Sequence, residues 1–150
     1  MVTSLSSYLQ SQQVTERKVI ELERSKLDVL DHIIQSSLRN HQNTLLSLKE
    51  VPALQAILRA QLNNGVDPQS GDSLITWKKR LQSIFSAFIA NKIEYLQIRY
   101  IDNNGNEIVR VQMNEHNKVE AVSDDLLQNK ANELYIIEDN NRLAISLNVR

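Results

Sequence analysis

Two arginines carry the most suggestive chemistry in this chain. Arg99 and Arg110 lie in YLQIRYIDNNGNEIVRVQM, residues 95 to 113, where β-branched and aromatic runs flank Asn104-Gly105. Asn-Gly supplies the positive φ angles that a two-residue hairpin needs. Pairing outward from that turn sets Asp102 opposite Glu107, Tyr100 opposite Val109, Arg99 opposite Arg110 and Ile98 opposite Val111. One face, Leu96, Ile98, Tyr100, Val109, Val111 and Met113, then reads as core. The other carries Gln97, Arg99, Ile101, Ile108, Arg110 and Gln112. Like charges directly across a ladder repel unless an anion lies between them, and two guanidinium forks can hold a carboxylate or phosphate. The candidate ligand-binding residues are therefore Arg99, Arg110, Gln97 and Gln112. Two other outcomes stay open. Asp102, Glu107 or Asp124 can neutralise the arginines as a structural network, or a longer, bulged turn can shift the register and dissolve the pair.

Other chemistries find little support. The chain has no cysteine, which excludes thiol catalysis, disulfides and thiolate metal sites together. Its three histidines include no i, i+4 pair: His32 and His41 fall on nearly opposite sides of a helix, and His116 lies in a polar stretch. No metal or other cofactor is expected. Gly65, Gly71 and Gly105 are too dispersed to cradle phosphate, and no nucleophile elbow is present. A formal net charge of -1 gives no basic field for nucleic acid. The segment is expected to be non-catalytic.

The elements that would position the hairpin are mostly helical. At 150 residues and 41% hydrophobic, the chain has room for one domain. From about Thr15, Ile20, Leu27, Leu30, Ile34, Leu38, His41, Leu45 and Leu48 recur at helical spacing, while Arg17, Glu21, Arg24, Asp28, Asp31, Gln35 and Arg39 form a charged back. The polar residues 4 to 13 either fray or prolong this helix. Pro52 forces a break near Glu50, and Leu54, Ile57, Leu58 and Leu62 mark a second helix. A loop rich in Asn, Gly and Pro covers residues 63 to 71. Asp72 or Ser73 caps a third helix with an apolar stripe of Trp77, Leu81, Ile84, Phe85, Phe88 and Ile89, leaving Lys78, Lys79 and Arg80 to solvent. After the hairpin come a polar loop at 114 to 118, a short helix at 124 to 131, and strands at 134 to 138 and 142 to 149 joined by Asp139-Asn140-Asn141. A sheet ending on its last residue leaves an open edge, so sequence is expected to continue past Arg150.

The motif Arg99-Tyr100-Ile101-Asp102, turn Gly105, Glu107, Arg110-Val111, then Leu127-Gln128 and Lys130 closely resembles the extracytoplasmic Cache (PDC) sensor domains of bacterial histidine kinases, diguanylate cyclases and chemoreceptors. The match is tightest over residues 74 to 131, and LLSLKEVPALQAIL is similar to the family's helix break. The resemblance implies an α+β fold, with a long N-terminal helix and shorter helices packed on a PAS-like antiparallel sheet, in a single domain over residues 1 to 150 (helical to 62, helix plus sheet from 72). It further implies a periplasmic ligand-sensing domain, anchored through membrane spans outside this sequence, that homodimerises through its first helix. A small, anionic ligand would suit the arginine face. The alternative is a dimerisation or protein-partner module that binds no small molecule.

Overall fold

The computed structural model describes residues 2–92, 94–132 and 144–149, with side chains described from Thr15 onward and not in the last of these segments. The chain divides into two compact units, 1–44 and 45–150. The first is a single helix: α1 runs Val2–Lys49, so residues 4 to 13 prolong it. No Gly or Pro interrupts it, and it shows more apolar surface than the single expected stripe. Val19, Leu22, Val29 and Ile33 form a second row beside Ile20, Leu27, Leu30, Ile34 and Leu38, and every one of these is more than half exposed. At 100° per residue the two rows cover roughly half the circumference. Among the described residues, no helix is long and apolar enough to cross a membrane.

The second unit begins in the last turn of α1. Leu45 and Leu48 join the core there, and the backbone breaks at Glu50-Val51 so that Pro52 opens α2, Pro52–Leu62. Proline is at home in that first turn because its missing N–H would have no intrahelical partner. The loop that follows is latched from inside. Asp67, its side chain fully buried, accepts from Arg59 Nε at 2.7 Å and Nη2 at 2.9 Å, from Ser70 Oγ at 2.9 Å and from the backbone N–H of Gln69 at 3.2 Å. The Arg59 hydrogen bonds hold the Asp67 carboxyl well below the usual carboxylate range, against the opposing effect of burial. Of the two expected caps, Ser73 is the one used: its Oγ accepts from Thr76 N at 3.2 Å and starts α3, Leu74–Asn91.

Among the described residues, the strands β1 (Tyr95–Ile101), β2 (Glu107–Met113), β3 (Val119–Ala121) and β4 (Ala144–Val149) form an antiparallel sheet in the order β3-β2-β1-β4. The core lies where Leu48, Leu54, Ile57, Leu81, Phe85 and Ile89 from the helices meet Ile98, Tyr100, Val109 and Val111 from the sheet. Each such aliphatic or aromatic side chain, taken out of water, contributes roughly 1.5–3 kcal/mol. The fold is thus α+β, with helices on one face of an antiparallel sheet.

Several expectations need correction. The hairpin loop is not a two-residue turn: Asn104 has no positive φ, Gly105 alone does at +79°, and Gly105 N donates to Asp102 O while Asp102 N donates to Asn106 O. This is a three-residue loop with a bulge, so Glu107 pairs with Ile101 and not with Asp102. The extra residue resets the side-chain alternation, and Ile108 packs against the core while Glu107 turns to the arginine face. Ile101, expected on the open face, is fully buried, and Leu96 lies outside the core cluster. Tyr95 is buried instead, its ring 5.3 Å from that of Phe88. Ile84 lies at the margin of its stripe and is exposed. Lys78 does not point to solvent: its Nζ reaches Asp124 at 2.6 Å. The helix expected at 124–131 is one short 3-10 turn, Asp124–Leu126, after which Leu127 turns extended. The short β3 was not anticipated. The expected strand at 134–138 and its following turn lie outside the described residues.

Candidate functional site

The register across β1 and β2 sets the geometry of the open face. Arg99 and Arg110 are direct Cα partners, and the repulsion between them is answered from within the chain. Glu107, its side chain fully buried, receives Arg110 Nη1 on Oε2 at 2.9 Å and has Arg99 Nε at 3.4 Å from Oε1. The bulge is what makes this reach available, since it brings residues 107 and 110 to one face of the strand. Of the outcomes left open by the sequence, neutralisation by Glu107 is found; the turn is longer and bulged, but its register shift falls between Tyr100 and Ile101 and so does not dissolve the Arg99–Arg110 pair.

Glu107 also fixes the chain that follows β3. Its Oε2 accepts from Gln128 N at 3.0 Å, and its own N–H donates to Gln128 O at 2.9 Å. Beside it Arg110 Nη2 donates to Leu126 O at 3.1 Å, Lys130 N donates to Gly105 O at 2.6 Å, and Asn129 Nδ2 reaches Asn106 Oδ1 at 2.7 Å. Asp102 closes the turn by accepting from Asn104 N and Asn106 N at 2.9 and 2.8 Å. The motif residues Arg99, Asp102, Gly105, Glu107, Arg110 and Lys130 thus meet in one unit, which clips residues 126–131 onto the hairpin. Tyr100 belongs to the opposite face: its ring is in the core, and burial first, then the charge of Asp102, pushes its hydroxyl above the usual tyrosine range.

The next row along the face is polar and has a single carboxylate, at its β3 end. Gln97 pairs with Gln112 and Gln112 with Glu120, so three strands contribute one residue each. Their side chains form a directed chain of hydrogen bonds. Arg99 donates to Gln97 Oε1 through Nε, at 3.0 Å, and through Nη2. Gln97 Nε2 donates to Gln112 Oε1, and Gln112 Nε2 donates to Glu120 Oε1, each at 3.2 Å. Glu120 Oε2 accepts from Asn114 Nδ2 at 3.1 Å.

Beside this row, at the end of the β1–β2–β3 ladder, lies an open cavity of about 510 Å³ lined by Leu96, Gln97, Gln112, Met113, Asn114, Glu115, His116 and Glu120. That volume suits a small metabolite. Of the four candidate residues, Gln97 and Gln112 line the cavity, while Arg99 stands behind Gln97 and Arg110 faces Glu107. The sequence reading missed Asn114, Glu115, His116 and Glu120, because β3 is only three residues long and its central residue is charged. The retrievable signal was cross-strand register: folding back through the 114–118 turn puts Glu120 next to Gln112. Among the described residues, no group of three or more His, Asp or Glu side chains could hold a metal ion.

No protein-family model and no curated protein matches the chain. Among solved structures it is similar to the extracellular domain of vpHK1S-Z8, a protein assigned as a histidine kinase, with a TM-score of 0.53 and 19% identity over 71% of this chain and 36% of that one. A domain of a sensory box/GGDEF family protein from Vibrio parahaemolyticus aligns with a TM-score of 0.45 and 17% identity over 69% of this chain and 37% of that one. The chain spans just over a third of the length of these structures. With its antiparallel sheet, helices on one face and the long first helix, the chain shares its α+β fold with that extracellular domain.

Proposed function

We propose that this chain is the extracytoplasmic sensor of a transmembrane receptor, binding a small molecule on the polar side of its sheet and passing that event to a cytoplasmic output module, a kinase or a diguanylate cyclase. The observation that carries this reading is the division of the sheet. One face is sealed by apolar helices, and the other presents Arg99, Gln97, Gln112 and Glu120 as one hydrogen-bonded row beside a cavity of metabolite size. The likeness in fold to an extracellular domain supports a periplasmic location. Membrane anchoring would come from spans outside the given sequence, and the segment itself would be non-catalytic.

The half-circumference of apolar surface on α1 supports a homodimer through that helix. Signalling would then be a population shift: a ligand that prefers one arrangement of the sheet and the 122–131 segment biases how the two copies of α1 pair, by no more than its differential affinity for the two states. A dimerisation module without a ligand is the second reading, favoured by Glu107 already occupying the arginine pair.

A thermal-shift screen of small carboxylates, amino acids, phosphates and amines, run with sedimentation of the same sample, tests both. A ligand at about 100 times its Kd adds ~2.7 kcal/mol, a shift of several degrees. A dimer with no response to any compound sinks the sensing reading and leaves the second, while a monomer at high concentration removes signalling through paired helices.

A further inference from the structure

We infer that Asn104-Gly105 is a site of covalent self-modification, closing to a succinimide and opening to aspartate or isoaspartate, and that the segment 126–131 gates it. This inference does not depend on the ligand-sensing reading.

Asparagine followed by glycine suits this reaction because glycine has no Cβ to hinder its own nitrogen in reaching the preceding side chain. The chain has two such pairs, Asn64-Gly65 and Asn104-Gly105. At the second, a bond forms between Gly105 N and Asn104 Cγ, the Cγ–Nδ2 bond breaks, and the proton of the glycine N–H leaves, by way of solvent, on the departing ammonia. Water then cleaves either C–N bond of the imide. One cleavage leaves an ordinary aspartate, and the other routes the main chain through the side chain as isoaspartate.

In the folded chain the 104–105 peptide unit is held at both ends. Its carbonyl, Asn104 O, accepts from Asn129 Nδ2 at 3.1 Å, and its N–H donates to Asp102 O at 3.0 Å. For Gly105 N to meet Asn104 Cγ the unit must turn, and both bonds must break. Gly105 is pinned on its far side as well: its own carbonyl accepts from Lys130 N at 2.6 Å, and the Ala131 backbone fills the place of a Cβ, 2.5 Å from it. Asn104 is exposed to water, so what withholds the reaction is this hold on the backbone.

The gate is lightly fastened. Leu126 is 60% exposed, and Gln128, Asn129 and Ala131 are exposed too, so hydrogen bonds rather than buried apolar side chains keep the segment on the hairpin. A segment with so little buried apolar surface opens well below the free energy of global unfolding. Asn64-Gly65 is held differently. Gly65 N donates to Ala60 O and Gly65 O accepts from Leu74 N, each at 2.8 Å, which ties that pair to the end of α2 and the start of α3. The two sites therefore respond to different openings. Isoaspartate at 104 lengthens the loop by a main-chain atom, so Asn129 no longer meets both Asn104 O and Asn106 Oδ1, and a transient release becomes permanent.

The test incubates the full chain in mildly alkaline buffer and follows Asn104 and Asn64 by peptide mapping, reading the gain in mass as NH2 is replaced by OH and separating aspartate from isoaspartate by chromatography. Wild type, Asn129→Ala and wild type unfolded in urea are compared, with the fold of the variant checked by Tm and circular dichroism. Both sites are expected to react readily in urea and slowly in folded wild type. Asn129→Ala should raise the rate at Asn104 about tenfold and leave Asn64 unchanged, with amide exchange at Lys130 rising alongside. Folded wild type reacting at Asn104 as fast as the urea sample overturns the gate. An Asn104 rate that Asn129→Ala does not change overturns it, and so does equal acceleration of both sites, which would mark general loosening of the fold.

Discussion

Arg99 and Arg110 stand directly opposite each other on neighbouring strands, and the buried carboxylate of Glu107 lies between them, within 3.4 Å of one and 2.9 Å of the other. A like-charge pair that would weaken a hairpin is thereby made into a fastening, because the same carboxylate also holds Gln128 N.

Removing the centre of this arrangement is expected to cost more than removing an arm. Glu107→Ala leaves two partly buried guanidinium groups facing each other, a loss of about 3–5 kcal/mol. Replacing Arg99 by Leu in that background should recover part of the loss, a coupling that a double-mutant cycle in urea measures. Simple additivity of the two substitutions would show that Glu107 does not act by separating the arginines.

Gly105 and Gly71 share a left-handed backbone but differ in surroundings. A Cβ on Gly71 meets nothing within 4 Å, whereas on Gly105 it would lie 2.5 Å from the backbone N and Cα of Ala131. Gly71→Ala is expected to cost about 1–2 kcal/mol for the left-handed conformation alone. Gly105→Ala should cost clearly more and loosen residues 129–131 from the hairpin, which amide hydrogen exchange at Lys130 would report. Equal costs for the two would contradict the close approach.

The Arg59–Asp67 latch makes a prediction about acid. Asp67 has its folded-state pKa depressed, chiefly by the Arg59 hydrogen bonds. Its stabilisation is therefore present above the ordinary carboxylate pKa of about 4 and is lost as pH falls from there through the lower folded value. Asp67→Asn should lower Tm at pH 7 by roughly 4–8 °C and flatten the decline of Tm between about pH 4 and pH 2. An unchanged acid profile in the variant would assign that decline to other groups.

Tyr100 predicts the opposite end of the scale. Its hydroxyl is buried, has no hydrogen-bond partner among the described residues, and is held above the usual tyrosine pKa by burial and by Asp102. The unfolded chain then ionises at about pH 10 while the folded one does not, so stability falls as pH rises past that point. Tyr100→Phe should be within about 1 kcal/mol of wild type at pH 7 and should move the alkaline unfolding midpoint upward. A large loss at neutral pH would reveal a partner for the hydroxyl.

Much of the architecture was legible in the chain because local rules govern it. Helical periodicity and Pro52 delimited α1 and α2, Ser73 carried the cap of α3, and alternation with a turn glycine located β1 and β2 together with the Arg99–Arg110 register. What local rules could not carry was decided by contacts distant in sequence. The bulge that turns Glu107 to the arginines and Ile108 to the core depends on residues 128–130 pairing back onto Gly105 and Glu107. Lys78 leaves solvent because Asp124, far along the chain, comes beside it, and the helix expected at 124–131 gives way to extended backbone for the same reason that Gly105 needs Ala131 close. The sequence by itself determined which side chains share a strand face from Gln97 to Tyr100 and from Val109 to Gln112, where the register is regular, since that follows from a period of two. That Glu107 comes to lie between those arginines was decided only by tertiary packing, because a buried charge takes whichever counter-ion the fold brings within reach.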